Sequence, residues 1–558
     1  MERFVTKYDV ESTMYQKFEQ SAKARKDKPC FYYYNNTISW NQASEMVEYC
    51  AAALKANGVK KGDRVIVCLP NMPQCVAAIY AINKIGAITS MLHPLSVASE
   101  AQYAKKLVDA KFAFVFDVSE KAFAGMSDVT VVKCPTAEYF PKSFYGLGAR
   151  LVYKKKINGK TAPATGVKKL VLWKDFLKEG KEYLKNNTVK TETDPDATAA
   201  TMMTGGTTGN PKAVMLSNYN INSLSYEIPD VVDTILHSKM DPDTDCMLTA
   251  LPVFHGFGFG MCMHISIIMG MPQALFPQFD AKMCSDAIKK YGINYVFGVP
   301  AFFEKVYKAG YLECDMSNMK LIGSGGDVVP YSLTEKMDKL LKDHGAKVHF
   351  VTGYGLTECV TCCLFTDPRR VAPQGCIGVP TYNIETKVVK PGTTQTVMNE
   401  DGELCIYGPT LMQGYWNDPE ETAKVLVKHD DGKVWLHSGD MVFFNEEFGD
   451  LYYRQRLKRV YKISGYLVYP SFIEEEYRKM PEIEDCCAIG VGPEGKTTIK
   501  LFVVKSKLGE KTEAEDLKKK IIDFGLTNLS KWSVPKEIEY IDELPRTKIG
   551  KVDFKVLH

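Results

Sequence analysis

The sequence predicts an α/β protein, with parallel sheets early in the chain and a small α+β domain at its end. Short apolar runs alternate with longer amphipathic segments, as in "DRVIVCLP", "NMPQCVAAIYAINKIG" and "AKFAFVFD". This strand-then-helix rhythm is typical of parallel sheets flanked by helices. After "YNIETKVVKP" the pattern changes to strands with glycine-rich turns, such as "MNEDGELCIYGPTLMQGYW", which predicts a small β-rich unit.

The end of the chain predicts a separate domain. "SFIEEEYRKM", "DCCAIGVG", "KLFVVKS" and "AEDLKKKIIDFG" indicate helix, strand, strand and helix, a compact unit of about a hundred residues. The basic segment "RLKRVYKISGYLV" joins this unit to the preceding chain. Two domains connected by one short segment predict a hinge.

Bulk composition excludes several classes of protein. With 558 residues the chain exceeds one core, and about three or four folding units are expected. The formal net charge of +3 is too small for a basic face that binds nucleic acid. The charged start "MERFVTKYDVEST" lacks the apolar region of a secretory signal, so we expect a cytoplasmic protein.

The cysteine pattern predicts reduced thiols rather than a disulfide framework. Sixteen cysteines are scattered along the chain, and most are expected to be buried. Cys359 and Cys362 form a lone C-x-x-C pair without a second pair or a close histidine, so we expect no metal there.

Two segments need a choice between surface, core and membrane. Between Asp245 and Asp280 no charged residue occurs, which is long enough to span a bilayer. Pro252, Pro272 and Pro277 interrupt this run, so it predicts a strand end, a loop and one short helix in a buried pocket wall. The basic "VYKKKINGKTAPATGVKK" favours a solvated surface loop; peripheral contact with anionic lipid or a partner is the alternative.

The stretch "TMMTGGTTGNPKAVMLS" is a glycine- and threonine-rich loop ahead of one lysine. It is not a Walker A motif, which needs Gly-Lys-Ser/Thr, because Asn210 and Pro211 precede Lys212 and an alanine follows. We interpret it as a cradle for phosphate groups. The groups for that cradle are the backbone N–H groups of Gly205, Gly206 and Gly209, the hydroxyls of Thr204, Thr207 and Thr208, and the Lys212 ammonium.

Three further motifs follow this loop in order: "GSGGDVV", "GYGLTE" and "LHSGD", and "LPRTKIGK" lies near the end. Together they resemble the adenylate-forming (AMP-binding) superfamily, in its acyl-CoA synthetase or fatty-acid-CoA ligase branch, over nearly the whole chain. Two departures are small. Ala213 stands where glycine is usual after the loop lysine, and Ser438 replaces the threonine of the common T-G-D.

The resemblance implies the domain organisation. It implies a large N-terminal domain, residues 1–457, made of two parallel α/β sheet subdomains and a small β-barrel-like subdomain. A small mobile α+β domain, residues 458–558, follows and carries the lysine used in adenylation. The hinge is expected at Lys458.

The resemblance also implies the reaction: a carboxylic acid and ATP form an acyl-AMP, and the acyl group then passes to a thiol. A carboxylate is already ionised at neutral pH, so its attack on phosphorus needs no general base or Ser/His/Asp triad. It needs charge neutralisation and alignment, because two anions must meet. The expected cofactors and cosubstrates are ATP, Mg²⁺ and coenzyme A.

Site residues follow from the resemblance, position by position. Lys551, Thr357 and Glu358 are the expected catalytic residues, and Glu358 and Thr204 the magnesium ligands. Lys462 and Gly465 are expected at the thioester step, and Arg546 in shaping the tail. The expected ATP-binding residues are Thr204, Gly205, Gly206, Thr207, Thr208, Gly209, Lys212, Gly326, Asp327, Tyr354, Gly355, Asp440 and Arg456, with Tyr354 against adenine and Asp440 on the ribose hydroxyls.

The acyl pocket is expected in the uncharged run, with His255, Phe257 and Gly325 at the acyl group. The aromatic and methionine side chains here predict an acid with a hydrophobic tail, a medium- or long-chain fatty acid: Phe254, Phe257, Phe259, Met261 and Met263. Alternatives stay open: an aryl or other bulky acid, and an acyl-AMP ligase that loads a separate carrier protein. A non-catalytic adenylate-binding protein is more remote, because it predicts loss of Lys551 or Glu358. Chain length, the acceptor and a homodimeric state are not decided by the sequence.

Overall fold

The computed structural model describes residues 3–204, 211–277, 280–310, 312–463, 466–493, 497–547 and 552–558, apart from the side chains of Lys462, Tyr466, Leu467 and Lys555. The strands are β1 (Pro29–Tyr33), β2 (Asn36–Ser39), β3 (Arg64–Cys68), β4 (Ile88–Met91), β5 (Phe112–Phe116), β6 (Thr130–Cys134), β7 (Lys169–Leu172), β8 (Thr198–Met203), β9 (Ala213–Ser217), β10 (Met247–Thr249), β11 (Gln273–Leu275), β12 (Tyr295–Gly298), β13 (Leu321–Gly325), β14 (Phe350–Tyr354), β15 (Leu364–Phe365), β16 (Cys376–Pro380), β17 (Glu385–Val389), β18 (Asp401–Tyr407), β19 (Gly414–Tyr415), β20 (Leu426–Lys428), β21 (Val434–Asn445), β22 (Asp450–Arg456), β23 (Tyr461–Ile463), β24 (Tyr466–Val468), β25 (Ile483–Val491), β26 (Thr498–Lys505) and β27 (Glu537–Tyr540). The helices are α1 (Met14–Arg25), α2 (Trp40–Ala56), α3 (Pro73–Lys84), α4 (Ala98–Val108), α5 (Phe144–Ile157), α6 (Trp173–Tyr183), α7 (Asn218–Ser225), α8 (Glu227–Thr234), α9 (Gly256–Gly258), α10 (Ile265–Ile268), α11 (Ala281–Tyr291), α12 (Pro300–Lys308), α13 (Tyr331–Asp343), α14 (Pro419–Val425), α15 (Pro470–Tyr477) and α16 (Ala514–Asn528).

The first sheet has eight strands in the order β19-β9-β8-β4-β3-β5-β6-β7. All neighbours from β8 to β7 are parallel, while β9 and β19 form an antiparallel edge. The predicted sequence of strand, helix and strand is confirmed by β3, α3 and β5. These strands are nearly continuous apolar runs because helices cover a parallel sheet on both faces.

The second sheet has fourteen strands and changes character along its width. The strands β1, β11, β10, β12, β13 and β14 are parallel, and the arm β15-β16-β22-β21-β18-β17 is antiparallel. The small β-rich unit predicted from sequence is this arm, which is hydrogen-bonded to the parallel part through β15 and β16. The carboxyl ends of β13 and β14 therefore lie near the arm, where α/β proteins place ligands.

The C-terminal unit has the predicted order of helix, strand, strand and helix. Strands β25, β26 and β27 form a sheet, and α15 and α16 pack on it through buried side chains such as Ile473, Tyr477, Leu517 and Ile521. The α/β class with a large sheet-containing N-terminal part and a small C-terminal unit is thus confirmed.

The uncharged run is a buried wall, as predicted. It contains β10, then α9, a π-helical turn at Phe259–His264 and α10 in continuous succession, and then β11. None of the helices in the described ranges is long and apolar enough to cross a bilayer.

The basic segment is not simply a loop: helix α5 includes its "VYKKKI" residues, so that part of the loop prediction was wrong. The Ser143 hydroxyl accepts a hydrogen bond from the Gly146 N–H at the start of the helix. Phe144, Leu147, Leu151 and Val152 of the helix are exposed, so its outer face is not uniformly polar, as that of a surface helix usually is.

Candidate active site

A cleft of about 2410 Å³ lies between the large N-terminal part and the C-terminal unit. Residues from both parts line it, including Tyr354 on one side and Arg546 on the other. Fourteen of the predicted site residues within the described ranges line this cleft: Thr204, Lys212, His255, Phe257, Gly325, Gly326, Asp327, Tyr354, Gly355, Thr357, Glu358, Asp440, Arg456 and Lys458.

The other predicted residues are not described. Gly205, Gly206, Thr207, Thr208, Gly209, Gly465, Lys551 and the side chain of Lys462 lie outside the described residues. Their roles stay predictions from the sequence.

The two ends of the phosphate loop are held together by reciprocal hydrogen bonds. The Thr204 N–H donates to the Lys212 carbonyl at 2.9 Å, and the Lys212 N–H donates to Thr204 Oγ1 at 3.1 Å. The antiparallel pairing of β8 with β9 brings these residues together. The Lys212 side chain is thereby placed at the neck of the loop, facing the cleft.

A chain of contacts joins Lys212 to Glu358. The Lys212 ammonium forms an ion pair with Glu421 and lies 4.7 Å from the centre of the Tyr415 ring. The Tyr415 hydroxyl donates to Glu358 Oε1 at 2.8 Å. Hydrogen bonds from Lys212 and Lys424 lower the pKa of Glu421 to about 2, so it stays an anion. Sequence reasoning missed Tyr415 and Glu421, because they lie about two hundred residues from Lys212 and carry no motif of their own.

Asp440 lies in a buried polar cluster at the cleft wall. The Tyr354 hydroxyl donates to Asp440 Oδ2 at 2.6 Å, and Arg456 Nε lies 3.2 Å from Oδ1. Arg456 also donates to the Ser438 carbonyl at 2.8 Å. Burial, and then the Asp440 charge, raise the pKa of Tyr354, so its proton stays in the hydrogen bond. Burial is the largest single effect on Arg456 and opposes its charge, but Asp440 and the other acidic groups around it together raise the pKa of the guanidinium.

The turn before Asp440 has its own support. Gly439 has φ of +70°, and its N–H donates to Glu403 Oε1 at 3.0 Å. Glu403 Oε2 lies 2.9 Å from His437 Nδ1, and His437 Nε2 lies 2.9 Å from His429 Nε2. With Cys405 these histidines form a compact group of ligand-type side chains, but the two imidazoles and Glu403 are hydrogen-bonded to one another. The group therefore supports the turn before Asp440 through the hydrogen bond from Gly439 to Glu403.

The "YGLTE" segment ends in a strained turn. Val360 has φ of +65° and ψ of −53°, and the Thr361 N–H donates to the Cys359 carbonyl at 2.8 Å. This is the rare γ-turn, and positive φ is unfavourable for a β-branched residue. Such strain persists only where the surrounding structure enforces it.

The helical wall of the cleft packs against this turn through glycine. A Cβ atom on Gly256 would lie 1.9 Å from the Val360 carbonyl oxygen, and one on Gly260 would lie 3.4 Å from the Val360 side chain. No other residue fits at Gly256 without moving the helix or the turn. The wall and the "YGLTE" segment are thus in direct contact.

The predicted acyl residues divide between cleft and core. His255 Nδ1 accepts a 3.4 Å hydrogen bond from the Phe257 N–H at the start of α9. Phe254, Phe257 and Met261 line the cleft, whereas Phe259 and Met263 are fully buried in the core beside it. Cys359 and Cys362 direct their thiols to backbone carbonyls of Leu356 and Leu364.

Neighbouring arginines attach the connecting segment to opposite sides of the cleft. Arg456 pairs with Asp440 in the N-terminal part, and Arg459 pairs with Glu474 and donates to the Ala488 carbonyl at 3.0 Å in the C-terminal unit. Lys458 lies between them in the short helical turn Leu457–Arg459. Arg546 forms a 3.3 Å ion pair with Asp485.

Comparison with known proteins identifies the family. Residues 18–416 match the AMP-binding enzyme family, and residues 473–551 match the AMP-binding enzyme C-terminal domain. A long-chain-fatty-acid–CoA ligase of Bacillus subtilis (strain 168) is 30% identical over 95% of this chain and 91% of its own length. A feruloyl-CoA synthase of Amycolatopsis sp. is 26% identical over 92% of both chains. The o-succinylbenzoate coenzyme A synthetase of Bacillus subtilis, solved with ATP and magnesium, shares the fold with a TM-score of 0.74 at 21% identity, covering 97% of this chain and 98% of its own. The chain belongs to the AMP-binding enzyme family.

Proposed function

We propose that this enzyme is an ATP-dependent fatty acid–CoA ligase. It joins a medium- or long-chain fatty acid to AMP, releases pyrophosphate and transfers the acyl group to coenzyme A. One observation carries the proposal: the fourteen described residues predicted from scattered motifs all line one cleft between the two parts of the chain.

In the first step a carboxylate oxygen attacks the α-phosphorus of ATP, a P–O bond forms and the bond to pyrophosphate breaks. Lys212, held at the neck of the loop, offsets the charge that develops on the leaving group. Asp440 accepts hydrogen bonds from the ribose, since its two oxygens have further acceptor capacity beside Tyr354 and Arg456.

The Glu358 carboxylate and the Thr204 hydroxyl fit Mg²⁺, because both are hard oxygen donors on the cleft wall. Tyr415 fixes one oxygen of Glu358 and so orients the carboxylate. Bound Mg²⁺ supplies positive charge to the phosphate oxygens.

The second step requires a different arrangement of the two parts of the chain around the cleft. We propose that residues 458–558 rotate about Lys458, withdrawing Lys551 and bringing Lys462 and Gly465 to the thiol of coenzyme A. The anchoring of Arg456 and Arg459 to opposite sides supports a pivot between them. Rotation imposes order on the two steps.

The substrate class rests on the cleft wall and on the relatives. Phe254, Phe257 and Met261 provide an apolar surface beside Gly325 and Gly326, where an acyl chain can approach the backbone. The 30% identical relative is named a long-chain-fatty-acid–CoA ligase. An aryl acid is the second candidate, because the feruloyl-CoA synthase is similar over nearly the full length.

The test is a panel of acids measured by AMP release, with and without coenzyme A. Fatty acids of several lengths are compared with aryl and steroidal acids. We expect the highest kcat/KM with a fatty acid and multiple turnovers only with coenzyme A. A preference for aryl acids would replace the substrate assignment, and acyl-AMP formation without use of coenzyme A would indicate a carrier-protein acceptor.

We further propose that the enzyme works in the cytoplasm. All sixteen cysteines are free thiols, and fifteen of them are buried. Unpaired thiols in this number support a reducing compartment.

A further inference from the structure

Helix α5 presents an apolar face to solvent. Phe144, Leu147 and Leu151 recur at helical spacing, and Tyr145 and Val152 lie one position further round. Their exposed fractions are 92% for Phe144, 52% for Tyr145, 54% for Leu147, 63% for Leu151 and 68% for Val152. One fourteen-residue helix therefore exposes five large apolar side chains side by side.

The opposite face of α5 is fixed to the protein. The Tyr153 hydroxyl donates to Asp117 at 3.0 Å, and Arg150 donates to the carbonyls of Phe140 and Pro141. A Cβ atom on Gly146 would lie 1.7 Å from the Pro141 carbonyl oxygen, so the helix lies directly on that segment. The apolar face is thus held outward by the packing of the inner face.

The charges in the chain segment that contains the helix have one sign. Residues 139–174 contain eight lysines, one arginine and no acidic residue, in a chain whose formal net charge is only +3. Lys154 and Lys156 lie on either side of the apolar face in the last turns, and Lys154, Lys155 and Lys156 are all exposed. Long lysine side chains can place their charge at lipid headgroups while apolar neighbours enter the acyl region.

We propose that α5 docks the enzyme onto an anionic lipid surface. The apolar face enters the boundary between headgroups and acyl chains, and the lysines bind the phosphate and carboxylate groups of the lipids. Charge complementarity selects this partner, because a segment without any acidic residue matches a surface rich in negative charge. The docking does not depend on which acid the enzyme activates.

The experiment is co-sedimentation of the full chain with vesicles. Vesicles of phosphatidylcholine alone are compared with vesicles that also contain phosphatidylserine, at low and high salt. We expect binding to the anionic vesicles that weakens with salt. Leu151→Asp is expected to reduce binding at least tenfold. The double variant Lys154→Glu with Lys155→Glu is expected to reduce binding by about fivefold or more for each lysine replaced.

Helix α16 offers matched controls. Leu526 on α16 is 62% exposed, a fraction similar to the 63% of Leu151. Lys518 and Lys519 on α16 are adjacent in sequence and exposed, as Lys154 and Lys155 are on α5. Leu526→Asp and the double change Lys518→Glu with Lys519→Glu should leave vesicle binding unchanged. Acid activation measured without vesicles should be unchanged in every variant, which shows that each one is folded.

Three results would overturn the proposal. The first is that the wild-type chain does not bind anionic vesicles. The second is that it binds neutral vesicles equally well. The third is that the α16 variants lose as much binding as the α5 variants. Sedimentation velocity adds a fourth: self-association abolished by Leu151→Asp, without vesicle binding, would assign the face to a second copy of the chain.

Discussion

Asp440 is held by two partners that both favour its charged form. Tyr354 donates to one oxygen at 2.6 Å, and the Arg456 guanidinium lies 3.2 Å from the other. Such charge-assisted contacts are stronger than neutral ones and fix the direction of the carboxylate. In the proposed ribose site, the carboxylate is therefore already oriented before the ribose hydroxyls bind.

Replacing Asp440 tests this role. Asp440→Ala removes an acceptor for charged or polar partners, a loss of about 1.5–3 kcal/mol, so we expect KM for ATP to rise roughly ten- to a hundredfold. ATP-dependent pyrophosphate exchange measures it. Asp401→Ala is the control. Asp401 also pairs with an arginine of the antiparallel arm, Arg454 at 2.9 Å, but it does not line the cleft. An unchanged KM in Asp440→Ala would remove Asp440 from the ribose site.

The proposed role of Lys212 separates the two half-reactions. If its charge offsets that of the leaving pyrophosphate, Lys212→Ala should lower the rate of pyrophosphate exchange by roughly a hundredfold or more. Thioester formation from supplied acyl-AMP should be nearly unaffected. Lys424→Ala is the control, since Lys424 also pairs with Glu421 but lies outside the cleft lining. Equal loss of both half-reactions would contradict the assignment to pyrophosphate.

At the scale of elements, the wall of the cleft depends on close backbone contact. The Gly256 position leaves no room for a side chain beside the Val360 carbonyl. A side chain at position 256 would therefore displace the strained turn that follows Glu358, and with it the carboxylate proposed to hold Mg²⁺.

We therefore expect Gly256→Ala to reduce adenylation at least tenfold, because the added carbon would displace the turn. Pyrophosphate exchange is measured beside the melting temperature. Gly148→Ala in α5 is the control: nothing lies within 4 Å of its Cβ position, and alanine favours a helix over glycine by roughly 0.5–1 kcal/mol. Wild-type exchange in Gly256→Ala would show that the wall and the turn move independently.

The same wall contains a buried neutral histidine. His264 lies 2.6 Å from the Tyr80 hydroxyl and 2.8 Å from Asn222 Oδ1, and burial lowers its pKa to about 3. The unfolded chain then binds a proton near pH 6.5 that the folded chain does not. The stabilising effect is complete above pH 6.5 and is lost as the pH falls toward 3.

We expect the free energy of unfolding to fall by about 2 kcal/mol, on account of His264, when the pH is lowered from 7.5 to 5. His264→Gln should remove that part of the pH dependence, because glutamine does not titrate. Urea unfolding at the two pH values measures the difference. His344→Gln, at the partly exposed end of α13, is the control and should keep the wild-type dependence. An unchanged dependence in His264→Gln would show that other groups account for the acid sensitivity.

At the scale of the whole molecule, the cleft is shared by two parts joined at one short turn. Arg456 and Arg459 attach that turn to opposite sides, and Lys308 pairs with Glu484 across the boundary at 2.9 Å. The Lys308–Glu484 pair is exposed on both sides and contributes little stability, so it permits rotation of the C-terminal unit.

The proposed rotation predicts that Lys551 acts in one half-reaction only. Lys551→Ala should abolish pyrophosphate exchange and leave thioester formation from supplied acyl-AMP largely intact. Lys462→Ala should show the reverse pattern. Lys536→Ala, an exposed lysine of the same unit, should leave both rates unchanged. Parallel loss of both half-reactions in Lys551→Ala would contradict an alternating role.

Much of the fold and site could be predicted because the relevant patterns are local in sequence. The alternation around β3, α3 and β5 reports a parallel sheet, and short motifs identified Lys212, Glu358 and Asp440. Local patterns failed where apolar residues face solvent. The segment "VYKKKINGKTAPATGVKK" predicts a loop because it is basic and contains glycine and proline. Its first six residues belong to α5, whose exposed Phe144 and Leu151 mark no core-facing side.

By itself, the sequence determined the fold class, the order of the two units and fourteen of the residues that line the cleft, because periodicity and motifs are encoded by neighbours along the chain. Only the tertiary structure decided that Tyr415 and Glu421 contact Glu358 and Lys212, and that Val360 forms a strained turn against Gly256. These contacts join residues from distant segments. Strand order and packing create them, and no local pattern of residues reports either one.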